Sequence, residues 1–160
     1  MATEFEDDLG RKWLIALTTQ SAKRIKAAVK VIDQNGNEVP FDLIDSSMIQ
    51  VTMQVLRSKY GVVAETMWAL VRPQCDEKGV TEEQFQEGMI GDALDRATTC
   101  IEEELVNFFP SGLRKVAAKM FRKSEEMRTQ AYKEAEKEVD NLKIEELSGK
   151  ESTKQPELSA

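Results

Sequence analysis

DALDRATTCIEEELVNFFP, residues 92–110, decides the fold class. Leu94, Ile101 and Phe108 recur every seven residues, with Ala97 and Leu105 between them, the spacing of one helix face. Asp92 suits the N-cap of this helix and Pro110 stops it. An apolar stripe this continuous has to be buried against other elements, so the segment predicts a helical core.

Working outward, the same logic finds more helices. Thr81-Glu82-Glu83-Gln84 has the form of a capping box and predicts a short helix through Met89, with Phe85 and Met89 as its apolar pair. Ile49, Met53, Leu56 and Tyr60 share one face of a helix capped by Asp45 or Ser46 and broken at Gly61. A helix over 62–72 turns Val63, Met67, Leu70 and Val71 inward with Trp68 beside them, and Pro73 is expected to end it, leaving 74–79 as a polar connector. Nearer the N-terminus, residues 1–10 read as a flexible acidic lead-in. KWLIALT (12–18) reads as a strand with both faces partly buried, and Thr19 or Ser21 caps a helix over 22–30. Asn35-Gly36 marks a tight turn between short extended runs, with Pro40 at a sheet edge.

After Pro110 a long last helix begins. Leu113, Val116, Ala117, Met120 and Phe121 fill one arc of it, and Arg114, Lys115, Lys119, Arg122 and Lys123 fill the other. Beyond Ser124 only a thin seam continues, Tyr132, Ala135, Val139 and Leu142, in the alternating three–four spacing of a coiled-coil face. The expected organisation is a mainly α chain: a helical domain with a small N-terminal β element over 11–124, an extension of the C-terminal helix over 125–147, and a disordered tail over 148–160.

Composition narrows the function classes. The chain has 160 residues, 41% hydrophobic and 32% charged, with a net charge of -7. That balance fits a protein with a core and a solvated surface. It disfavours phosphate-backbone binding and docking on an anionic membrane. No apolar run approaches the roughly 20 residues of a bilayer span. The acidic N-terminus lacks the apolar stretch of a secretory signal, so the expected compartment is the cytoplasm, where Cys75 and Cys100 stay reduced. There is no histidine, which removes the commonest acid–base group and metal ligand. The runs Glu82-Glu83 and Glu102-Glu103-Glu104 place neighbouring carboxylates roughly 100° apart on a helix, so they read as solvated faces rather than a metal site. No glycine pattern matches a phosphate loop. Catalytic residues, metal ligands and cofactors are therefore not expected, and the chain reads as a protein-binding protein, not an enzyme.

The basic arc from Arg114 to Lys123 reads as a solvated face, a docking surface for an acidic segment, or a nucleic-acid patch. Seven methionines, Met120 and Met127 among them, either fill the core or offer adaptable contacts. Trp13 and Trp68 read as core anchors or interface residues.

The order of these features resembles a known family. RKWLIALTTQSAKRIKAAVKV (11–31), then MWALVRPQCDEKGVTEEQFQEGMIGDALDRATTCIEEELVNFFP (67–110), resembles the tail assembly chaperones of long-tailed bacteriophages. The likeness lies in the WLIAL strand with its Ser21–Lys26 helix start, the LVRPQ and EELVNFFP helix ends, and the GVTEEQFQEGMIGDAL joint. The resemblance implies a helical protein that binds the tape measure protein, and other tail proteins in some cases, and keeps the tape measure protein soluble until the tail tube forms around it. It carries no catalytic residues. It also implies a longer frameshifted form, for which Ser148-Gly149-Lys150 offers a possible slippery heptamer, G-GGA-AAG. A structural tail or head–tail component and a small nucleic-acid-binding regulator are the alternative readings, and a homo-oligomer is compatible with each.

Overall fold

Trp13, Ile15 and Leu17 lie on one side of an extended run, with Leu14, Ala16 and Thr18 on the other. In the computed structural model, which describes residues 2–152 and the side chains of 2–142, only the first set is buried. Strand β2 (Lys12–Ile15) pairs antiparallel with β1 (Thr3–Glu6), Phe5 standing opposite Trp13. This corrects two expectations. The run 12–18 buries one face, not two, and the supposed lead-in at 1–10 contains a strand. Phe5, 1% exposed between the exposed Glu4 and Glu6, gives that strand a single buried side chain to anchor it.

Thr18 starts α1 (Thr19–Ala28), three residues before the expected start. Its hydroxyl accepts from the Ser21 amide, and the Ser21 hydroxyl accepts from the Thr18 amide. A second antiparallel pair, β3 (Lys30–Ile32) and β4 (Glu38–Pro40), closes around the Asn35-Gly36 turn as expected. The Asp33 carboxylate accepts from the amides of Asn35 and Asn37, and Gly36 takes φ +80, where a side chain would be strained.

Asp45 caps a 3-10 turn (Ser46–Met48) that leads into α2 (Ile49–Ser58). The break falls at Lys59 rather than Gly61, which sits in the first turn of α3 (Tyr60–Lys78). The larger correction concerns Pro73. Helix α3 runs through it to Gly79, whose left-handed φ of +68 ends the helix. A proline leaves the carbonyl four residues back without its helical donor. That carbonyl belongs to Ala69, and the Arg24 guanidinium of α1 donates to it at 3.2 Å. The continued turn has work to do: Cys75 is buried, and the Gln74 amide group exchanges two hydrogen bonds with the Leu14 backbone, 2.9 and 2.7 Å, satisfying the outer edge of β2.

The expected capping box opens α4 (Glu82–Glu87), with Thr81 and Gln84 bonding reciprocally. Helix α5 (Asp92–Phe108) is the expected core helix, although Gly91 is its cap and Asp92 its first residue. Ala93, Ala97, Ile101 and Leu105 are fully buried, while Leu94 and Phe108 are half-buried. The core forms where α3 packs on α1, α4 and α5, and the β1–β2 hairpin packs on α5 and α3. Trp13 meets Phe85 edge-on at 5.5 Å, and the half-buried Trp68 lies 5.8 Å from the same ring.

The chain divides into two units, Met1–Ala118 and Lys119–Ala160, and the last helix, α6 (Ser111–Ser152), belongs to both. The tail expected to be disordered over 148–160 begins inside α6. Its remainder, 153–160, lies outside the described residues, as do the side chains of Ser148 and Lys150.

Candidate partner-binding surface

Residues 131–141 of α6, AYKEAEKEVDN, are rich in alanine, glutamate and lysine, strong helix formers that hold a helix without a packed core. Every residue from 129 to 142 is exposed. The seam is an exposed apolar stripe: Tyr132 is 54% exposed, Val139 47% and Leu142 52%, with Ala135 exposed between them. Just before it, the Arg128 guanidinium donates to Glu125 at 2.9 Å and lies 6.0 Å from the Tyr132 ring centre.

The other expected contact residues divide. Met127 is 67% exposed, whereas Met120 is half-buried. Lys115, Lys119, Arg122 and Lys123 are exposed. Arg114 does something the sequence did not disclose: it donates to the carbonyls of Phe109 and Asn107, tying down the end of α5. Of the remaining methionines, Met53, Met67 and Met89 are buried, which supports core filling for them, while Met48 is 46% exposed.

Met48 belongs to a second apolar feature that periodicity gave no sign of. A cleft of about 680 Å3 opens between the β3–β4 turn and α2, with Ile32, Met48, Val51 and Val55 along it and Lys59 at its end. Ile32 and Val51 are 66% and 41% exposed. The wall is assembled from residues far apart in sequence, so no local pattern announces it.

Two carboxylates expected to be solvated are instead buried. Glu104 accepts from the Thr3 hydroxyl at 2.7 Å and the Leu17 amide at 3.0 Å, joining α5 to both ends of the first hairpin. Glu102 accepts from Arg57 of α2 at 2.8 Å. A third buried carboxylate, Asp7, organises the turn between β1 and β2. It accepts from the amides of Leu9 and Arg11, from Arg11 Nε at 2.7 Å, and from the Trp13 indole at 3.0 Å. Burial alone would push its carboxyl up, but the bonds from Trp13 and Arg11 outweigh that and hold it below the usual carboxylate value. These groups have structural partners already and point into the fold.

Both cysteines are buried, which disfavours their thiolates. Burial, then Glu103 and Glu104, pushes the Cys100 thiol up to about 11, and burial raises Cys75 as well. Among the described residues, no cluster of histidine, cysteine, aspartate or glutamate is placed to hold a metal ion, and no helix is long and apolar enough to cross a membrane.

No protein-family model, no curated protein and no solved structure matches this chain.

Proposed function

We propose that this chain is an assembly chaperone for a long helical client, in the manner of the phage tail assembly chaperones it resembles, with the tape measure protein as that client. The observation that carries the proposal is the open seam on α6. Tyr132, Ala135, Val139 and Leu142 repeat at coiled-coil spacing on a stretch where no residue is buried. A stripe with this period is what a second helix packs against. The surrounding acidic surface supports solubility while the stripe stays open.

The test is co-purification. The full chain should retain the tape measure protein of the same phage on an affinity resin, and the double substitution Val139→Asp with Leu142→Asp should release it without lowering the melting temperature. Equal retention by both forms removes the seam from the account. Mass spectrometry of purified virions separates a chaperone, absent or trace, from a stoichiometric structural component. A gel shift at low salt tests the nucleic-acid alternative. Arg114 already being engaged with its own chain leaves that alternative a smaller basic face than the sequence suggested.

A further inference from the structure

The first hairpin has one covered edge and one open edge. In an antiparallel pair, residues opposite one another either exchange both main-chain hydrogen bonds or turn both groups outward, in alternation. Leu14 turns outward, since its amide and carbonyl bond the Gln74 side chain at 2.9 and 2.7 Å. Glu4, its partner in register, therefore directs its own amide and carbonyl away from β2, and so does Glu6 two residues on. The Arg96 guanidinium of α5 obeys the same parity, donating to the Glu6 carbonyl at 3.2 and 3.3 Å. Gln74 thus fills the β2 edge. On the β1 edge, the Glu4 amide, the Glu4 carbonyl and the Glu6 amide have no hydrogen bond among the described residues.

That open edge borders a groove. About 350 Å3 of space lies between residues 3–6 and the flank of α5, with Thr99 and Cys100 on the helix side. Acids stand on both walls, Glu4 and Glu6 on the strand, Asp95 and Glu103 on the helix. Two cations are close and both are engaged. Arg96 is held at the Glu6 carbonyl, and Lys12, on the neighbouring strand, is held by Glu4 at 3.1 Å. Glu6 and Glu103 have no ion-pair partner among the described residues.

We propose that this edge accepts an extended, lysine- or arginine-bearing segment of a partner protein as a third strand. A strand laid against β1 supplies the main-chain partners that the edge lacks, the mode by which sheets capture extended peptides. It also turns a two-stranded ribbon, marginal by itself, into a three-stranded sheet beside α5. The charges select the segment. Side chains opposite Glu4 and Glu6 lie at cross-strand distance, where opposite charges attract and like charges repel. The same rule disfavours a second copy of β1, which would bring Glu4 and Glu6 against their own counterparts. The edge lies on elements other than α6, and its test does not involve the seam.

The experiment titrates the full chain with two synthetic hexapeptides, lysine alternating with valine and glutamate alternating with valine, and follows backbone amides by NMR hydrogen exchange. At saturation with the lysine peptide, exchange at Glu4 and Glu6 should slow at least about tenfold, while Phe5, whose amide already faces β2, stays unchanged. The lysine peptide should bind about tenfold tighter than the glutamate peptide at low salt, with the gap closing near about 0.5 M salt. Glu4→Pro, which deletes the outward amide, should bind the lysine peptide about fivefold more weakly than Glu4→Gln, which deletes the charge alone. If the proline variant does not fold, exchange in the wild type decides. Glu4 and Glu6 amides left unprotected by the lysine peptide overturn the inference, as does equal protection by both peptides. Sedimentation of the free chain covers the remaining occupant: a dimer abolished by Glu4→Pro would assign the edge to a second copy and overturn the inference.

Discussion

Replacing Asp7 with alanine should be among the most damaging single changes in the chain. The carboxylate is 2% exposed and satisfies four donors at once: the Leu9 and Arg11 amides, Arg11 Nε and the Trp13 indole. Removing it strands the indole N–H in the core, at about 1–3 kcal/mol. It also breaks an ion pair whose carboxylate is buried, at about 3–5 kcal/mol when both charges are desolvated. The Arg11 side chain is 26% exposed and can recover some hydration, so the second figure belongs at its low end. We expect a total near 4 kcal/mol, and for a chain of this size a fall in melting temperature of about 10 °C. Urea denaturation followed by circular dichroism measures it. The pH dependence has a definite sign. Because the folded carboxyl titrates below its ordinary 3.8, its contribution is fully present above that value and is lost as the pH falls below 3.8 through the folded value. The gap in stability between the wild type and Asp7→Asn should therefore hold constant from neutral pH to about 5 and narrow in stronger acid. A loss below about 1 kcal/mol for Asp7→Ala, or a gap that widens in acid, would refute the reasoning.

Gly88→Ala should destabilise by about 1–3 kcal/mol, because a Cβ there would stand 2.9 Å from the Asp7 carboxylate and the Arg11 guanidinium, both of which are held in place. Thermal melting checks it, and an unchanged midpoint would show that the turn can shift. Arg24→Ala should cost about 1–2 kcal/mol in the wild type and much less beside Pro73→Ala, where the restored amide supplies Ala69 with its helical donor. A double-mutant cycle with no coupling would detach Arg24 from the passage of α3 through Pro73. Cys100 in the native chain should react with a maleimide at pH 8 at least about a hundredfold more slowly than in the denatured chain, since its thiol titrates near 11. Comparable rates would contradict its burial.

What the sequence disclosed was what neighbours decide. The Thr81–Gln84 capping box, the Asn35-Gly36 turn, the α5 stripe and the α6 seam are each complete within a few residues, so their physics can be read locally. The misses have distant causes. Pro73 ends a helix by every local rule, and the donor that Ala69 receives where α3 continues comes from Arg24, in another helix. Glu104 sits in an acidic run that looks solvated, yet its partner Thr3 is 101 residues away. The first strand was hidden because its one buried residue, Phe5, needs Trp13 opposite to make sense of it. The cleft beside Met48 is likewise built from separate elements, whereas the seam follows from the spacing of Tyr132, Ala135, Val139 and Leu142 along one helix.

The proposed role is to keep a helical client soluble through the α6 seam. Co-expression with the proposed client, a phage tape measure protein, tests it most directly, with the soluble fraction of that protein as the readout. The account predicts that the client is largely soluble beside the wild-type chain and returns to the pellet beside the Val139→Asp, Leu142→Asp variant, which itself stays folded. A tape measure protein equally insoluble with and without the wild-type chain would contradict the account.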